Sequence, residues 1–325
     1  MLHIILYAIV PIFVVMALGY FSGKAGAFSG QDARVLNKVV LNYALPCALF
    51  VSIVKANRAM LAVDAKLSVI TFVVLTAAFL LVYFIFKMYK GNTAADAAIA
   101  ALVSGSPTIG FLGFAVLQPI FGESATVGLV IAIVAIEVNA VGIPLGLWLL
   151  NRAQASSNAA QNGGKKPNPF TPMWNALKQP VAWAPILAVI LVLVGVKWPA
   201  ELDPSFTLMS GANASLACFA AGITLSSVKV VINAQVWLGA FLRLIFTPLI
   251  VLAVGIIFHM EPANLKMLVI ASALPPAMSG IIIASRNNVY VATSTSSLAV
   301  STLLFMGTCP MWLWLSDLAI KQFLM

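Results

Sequence analysis

Apolar runs of about 20 residues recur from one end of the chain to the other, each closed by a short polar or charged stretch, and that pattern leaves few ways to fold. Only 8% of the residues are charged and 62% are hydrophobic, with a mean hydropathy of +1.04. Most of the length must therefore face lipid or other apolar helices. Backbone in hydrocarbon has to satisfy its own N–H and C=O groups, and runs without period-2 alternation select helices over barrel strands. The sequence reads as an all-α integral membrane protein that crosses the bilayer several times. Its first run begins at His3 with no Lys or Arg ahead of it and no small-residue cleavage pattern, which predicts a retained helix and not a signal peptide.

Cys47, Cys218 and Cys309 all lie inside apolar runs with no CxxC pair, as small packing residues do. His3 and His259 are far apart, so no metal centre is expected. The formal charge of +9 is scattered over short loops, with no basic domain to hold nucleic acid. No GxxxxGK[ST] motif is present, and no cofactor is expected.

Ten spans are expected, at residues 3–22, 35–54, 67–86, 94–119, 124–150, 180–197, 206–227, 236–259, 264–285 and 290–316. With the N-terminus outside, the loops after odd-numbered spans hold Lys24, Arg34, Lys38, Lys87, Lys90, Arg152, Lys165, Lys166, Lys178, Lys229 and Arg286. The other side holds Lys55, Arg58, Lys66, Lys197, Lys266 and Lys321, and Arg243 falls inside a span. The positive-inside rule then puts both termini on the extracytoplasmic side of an inner (plasma) membrane. A polar linker, residues 151–179, separates the first five-helix repeat (1–150) from the second (180–325).

An odd number of spans per half requires related halves to be inverted, and matching features do recur at nearly constant separation. "NYALPC" with Asn42, Leu45 and Cys47 matches "NASLAC" with Asn213, Leu216 and Cys218. Pro107 matches the Pro275/Pro276 pair, Pro144 with Trp148 matches Pro310 with Trp314, and Pro185 is a looser partner of Pro11. Proline removes a helical hydrogen bond and clashes with the preceding turn, so "SGSPTIGFLG" and "ALPPAMSG" should unwind helices 4 and 9. Unwound backbone at membrane depth is tolerated only against protein or a water-filled cavity. Two such breaks at matched positions cross near the midplane, and each second half-helix aims free N–H groups at the crossing, a site suited to a carboxylate. A pair of simple packing kinks is the alternative.

"NYALPCALF", "SPTIGFLGFAVLQPIFGE" and "SALPPAMSGIIIASRNNV" resemble the auxin efflux carrier family, and more narrowly its bacterial malonate-transporter-like branch. The resemblance implies ten helices in two inverted five-helix repeats, a scaffold and a transport domain, and an organic anion bound where helices 4 and 9 cross. Carried onto this sequence, Pro107 and Pro275 or Pro276 become the crossover prolines. Ser106, Thr108, Ile109, Gly110, Ala277, Met278 and Ser279 become candidate substrate contacts, with Asn42, Pro46 and Asn213 behind them. Family members often carry Asn after the helix-4 proline; here Thr108 stands there.

Arg286 in "ASRNN" resembles an Asn-Arg pair of the malonate-transporter-like proteins; it either clamps a carboxylate or anchors a helix end. Glu137 is the one acid well inside a span, a carrier for a coupling proton or a static partner of Arg243. Asn139, about 200° further round, cannot share its face. Asn42 and Asn213 either bond to the unwound segments or glue helices together. The hydroxyls of "TSTSS", 293–297, either line a cavity or bond back to helix carbonyls.

The chain is thus expected to be a secondary active transporter of small organic anions, mono- or dicarboxylates such as malonate, coupled to a proton or sodium ion or to none. It is expected to work in the lipid bilayer with no nucleic-acid partner, a homodimer being one open assembly. A sodium-coupled organic anion symporter of the bile-acid type is the alternative. An intramembrane enzyme would need a catalytic constellation that Glu137 alone does not supply.

Overall fold

The computed structural model describes residues 10–54, 65–162, 180–196, 198–227 and 230–323. His3, Lys55, Arg58, Lys165, Lys166, Lys178, Lys197 and Lys229, which enter the readings above, lie outside the described residues, as does the linker from 163 to 179. Among the described residues the regular elements are all helical. They run α1 Val10–Lys24, α2 Gly30–Val39, α3 Leu45–Val54, α4 Ala65–Met88, α5 Ala94–Ser104, α6 Ile109–Phe121, α7 Ala125–Ile136 and α8 Ile143–Asn162. After the linker come α9 Pro180–Val194, α10 Asp203–Ser226, α11 Ala234–Phe241, α12 Thr247–Ile257, α13 Pro262–Ser272, α14 Met278–Asn287 and α15 Val291–Phe323.

Three pairs of helices run on into one another through π-helical stretches, Val40–Ala44, Glu137–Gly142 and Leu242–Phe246. Each stretch ends two residues before a proline: Pro46, Pro144 and Pro248. The proline ring would clash with the carbonyl four residues back, and a wider turn makes room for it. Carbonyls of the Leu242–Phe246 stretch also take side-chain donors. The Thr247 hydroxyl donates to the Leu242 carbonyl at 2.8 Å, and the buried Trp312 indole donates to the Leu244 carbonyl at 2.7 Å.

Among the described residues six helices, three of them joined through these stretches, are long and apolar enough to cross a bilayer: Gly30–Val51, Lys66–Met88, Ala125–Gln154, Asp203–Ser226, Ala234–Ile257 and Val291–Phe323. Shorter apolar helices, α1, α5, α6 and Trp183–Val194, lie among them. α8 continues to Asn162 where the sequence reading began the linker at residue 151; no Gly or Pro interrupts the chain before Gly163. α1 and α10 lie backbone to backbone, since a Cβ on Gly19 would come within 2.1 Å of the Phe219 carbonyl oxygen, and one on Gly222 within 2.0 Å of that of Met16.

The helix ends fall into two groups. One end carries Lys24, Arg34, Lys87, Lys90 and Arg286, and is tied together by the Gln235 amide donating to Asn92 at 2.9 Å and by the Tyr290 hydroxyl donating to Gln235. At the other end, Lys66 donates to the His259 carbonyl at 3.1 Å, Lys266 pairs with Asp317 at 2.6 Å, and Phe50, Trp198 and Phe206 cluster. Capping boxes start the helices that enter from the first end, Ser29 with Asp32 at α2 and Thr93 with Asp96 at α5.

Candidate functional site

Two helices are interrupted at the heart of the bundle. α5 ends at Ser104 and α6 begins at Ile109; α13 ends at Ser272 and α14 begins at Met278. The intervening segments pair as an antiparallel bridge with Pro107 opposite Pro276. The Thr108 N–H donates to the Pro275 carbonyl at 2.8 Å, and the Ala277 N–H donates to the Ser106 carbonyl at 3.0 Å. In this wide kind of antiparallel pair the central residues contribute no N–H to the partner. Proline has none to contribute, so a residue that breaks the helices closes the crossing without losing a hydrogen bond.

The bridge turns the N-termini of α6 and α14 toward each other. First-turn N–H groups, those of Ile109, Gly110, Met278 and Ser279, have no carbonyl one turn back to bond to, and the side chain of neither cap residue, Thr108 or Ala277, bonds to them. The Thr108 hydroxyl is buried and has no partner. Together with Pro275, Met278 and Thr302 it lines a cavity of about 20 Å³, room for about one water. Met278 also lines a second cavity, of about 460 Å³, which lies between Arg34 and Asn37 on α2, Ser285 on α14 and Thr295 on α15, toward the lysine-rich end.

The other two helix ends at the crossing are C-terminal, and one cation serves both. Arg243 is fully buried; its Nη1 donates to the Gly105 carbonyl at 3.1 Å and its Nη2 donates to the Ser272 carbonyl. A guanidinium there satisfies orphan carbonyls and opposes the negative ends of two dipoles. Glu137, also buried, accepts from the Thr76 hydroxyl at 3.2 Å. Arg243 and Glu137 sit in π-helical stretches, where a wider turn redirects side chains.

Residues 4–313 match the profile of the family described as membrane transport protein. The chain belongs to that family. It contains the auxin efflux carriers that the sequence resembles. The uncharacterized transporter YfdV of Escherichia coli (strain K12) is 52% identical over 311 residues, 95% of this chain and 97% of its own. An uncharacterized transporter of Methanothermobacter thermautotrophicus is 27% identical over 314 residues, 94% of this chain and 96% of its own. A Rhizobium meliloti (strain 1021) protein whose name proposes malonate transport is 23% identical over 307 residues, 92% of each chain.

In this membrane transporter most of the candidate residues from the sequence do converge. Ser106, Pro107, Thr108, Ile109, Gly110, Pro275, Pro276, Ala277, Met278 and Ser279 make up the bridge and the first turns beyond it. Of the two prolines the sequence left open, Pro276 is the bridge partner of Pro107, and Pro275 acts through its carbonyl. Asn213 is buried and its amide donates to the Gly110 carbonyl at 3.3 Å. Its sequence counterpart Asn42 is corrected: it is exposed, because the π-helical stretch at Val40–Ala44 buries Val40, Ala44 and Leu45 instead. Leu45, beside the buried Pro46, reaches the break in its place, packing where a Cβ on Gly110 would stand, 2.6 Å from Leu45 Cδ2.

Arg286 is corrected as well. It is exposed and takes no part in lining the large cavity, which its neighbour Ser285 does line. Glu137 and Arg243 do not pair directly, since each is held by other groups. The hydroxyls of Ser294, Thr295 and Ser296 donate back to carbonyls of Tyr290, Val291 and Ala292, the blander of the two readings of that cluster. Sequence reasoning missed Arg34 and Asn37 as cavity residues and Arg243 as a double helix cap. The spacing of Gly30, Arg34 and Asn37, one helical face, was the available signal for the first two.

Proposed function

We propose that this membrane transporter is a secondary active carrier of small organic anions, mono- or dicarboxylates such as malonate, held at the Pro107/Pro276 crossing and exposed to the two sides of the membrane in turn. One observation carries the reading. Two helix N-termini converge there beside a buried Thr108 hydroxyl that has no partner, and a cavity of about 460 Å³ lined by Met278, the first residue of α14, runs along α14 toward one end of the bundle. Free N–H groups, the positive ends of two dipoles and a spare hydroxyl donor together suit a carboxylate. The name of the Rhizobium meliloti relative agrees with a dicarboxylate.

In this reading the chain makes ten passes as two inverted five-helix repeats, residues 1–150 and 180–325, and the mutual exchange of hydrogen bonds at the crossing supports that symmetry. The gathering of Lys and Arg where α1 ends favours a cytoplasmic position for that end, with both termini outside an inner membrane. The large cavity is then the inner vestibule. Glu137, a buried carboxyl in a π-helical stretch, is the candidate carrier of a coupling proton. A homodimer is compatible with this arrangement and is not required by it.

Uptake of radiolabelled malonate into proteoliposomes, with proton and sodium gradients imposed separately, tests the reading. Saturable uptake inhibited by other short carboxylates is expected. Folded protein that moves no carboxylate under any gradient would refute it.

A further inference from the structure

We infer that Arg34 is a second anion anchor on the same route, reading the far carboxylate of a short dicarboxylate whose near carboxylate sits at the N-terminus of α14; the inference rests on the crossing being an anion site. Helix phase puts Arg34 in place. Gly30, Arg34 and Asn37 follow one another at i, i+4 and i+7 and share the face of α2 that lines the large cavity. On α14 the cavity face is Met278, Ile281, Ile282 and Ser285, the same spacing. The two helices run in opposite directions, so Gly30 and Ser285 mark the mouth while Asn37 and Met278 mark the depth. Arg34 stands one turn inside the mouth, about 6 Å along the axis from Gly30, and its long side chain can reach inward.

The charge of Arg34 is unspent. Among the described residues it is the one charged residue lining the cavity, and it makes no hydrogen bond or ion pair with any of them. The nearest acid in sequence, Asp32, faces about 200° away around the helix and accepts from Ser29 instead. One turn deeper, Asn37 is buried with its Oδ1 unpartnered. The hydroxyls of Thr224, Ser227 and Thr295 give their protons to helix carbonyls and present lone pairs to the cavity. With those hydroxyl protons committed, the guanidinium fork is the charged donor left to a carboxylate, which it favours over a neutral polar group. Arg34 is exposed, as a helix-end anchor is, but unlike Arg286 it lines the cavity that Met278, the first residue of the crossing helix, also lines. A dicarboxylate can therefore be held at both ends, and a monocarboxylate at one.

Calorimetric titration of the purified full-length protein with malonate and with its half-amide tests this. Arg34→Gln is expected to weaken malonate about tenfold or more while changing the half-amide by less than about twofold, in line with loss of one charge-assisted hydrogen bond. Arg34→Lys, which keeps the charge and loses the fork, should fall between. Thr108→Val should weaken both probes alike, because it acts at the crossing. Unchanged malonate affinity in Arg34→Gln, or equal losses for both probes, overturns the role of Arg34 and leaves the crossing standing. Wild-type protein that binds neither probe overturns the crossing and this inference together.

Discussion

Replacing Arg243 by Met tests the double cap at the crossing. The guanidinium is fully buried and donates to two carbonyls, Gly105 at the end of α5 and Ser272 at the end of α13. Hydrogen bonds from a charged donor contribute about 1.5–3 kcal/mol each, and a buried carbonyl left without a donor costs about 1–3 kcal/mol. Counting the bonds and the orphaned carbonyls separately would count the same loss twice, so the two contacts set a loss of about 3–6 kcal/mol. Relief from keeping a cation out of water offsets part of it. A net destabilisation of about 2–4 kcal/mol is expected. Thermal unfolding of the purified protein, followed by tryptophan fluorescence, should show a midpoint lowered by several degrees. Arg243→Lys should recover part of that, because an ammonium reaches one carbonyl more readily than two. A midpoint for Arg243→Met within a degree of wild type would refute the reasoning, since the carbonyls would then have found other donors at no cost.

Pro276→Ala should impair malonate uptake more than membrane insertion, as Pro107→Ala should, while Pro275→Ala is the milder change because only the Pro275 carbonyl enters the bridge; comparison of initial rates at matched protein density checks the order. Asn213→Leu removes the donor to the Gly110 carbonyl and should lower uptake, whereas Asn42→Leu, at an exposed position, should leave the rate within about twofold. Glu137→Gln should flatten the dependence of uptake on pH if this carboxyl carries the coupling proton, and a preserved profile removes it from that role.

The helix breaks were legible in the sequence because proline acts on its own chain: Pro107 and the Pro275/Pro276 pair announce lost hydrogen bonds wherever they stand. Choosing between Pro275 and Pro276 needed the partner strand, since only the register of the bridge says which residue must do without an N–H. Asn42 misled because it was matched to Asn213 by motif alone, and the π-helical stretch at Val40–Ala44 shifts helical phase there whereas Asn213 sits in an uninterrupted α-helix. Arg286 misled by one position, as its neighbour Ser285 holds the cavity face and a single residue is about 100° of rotation. Arg243 was visible as an intramembrane cation, but its acceptors are backbone carbonyls of α5 and α13, which no side-chain pattern advertises. Arg34 looked like any other positive charge at a helix end until the cavity beside it was known.

Occupation of the crossing by an anion can be measured through single cysteines at Thr108 and Ser279, in protein whose Cys47, Cys218 and Cys309 have been replaced, by timing their reaction with a small charged thiol reagent with and without malonate. The account predicts that malonate slows labelling at both positions and leaves a cysteine at the exposed Asn42 unaffected. Equal labelling rates with and without malonate at Thr108 and Ser279, in protein that transports malonate, would place the anion elsewhere and contradict the account.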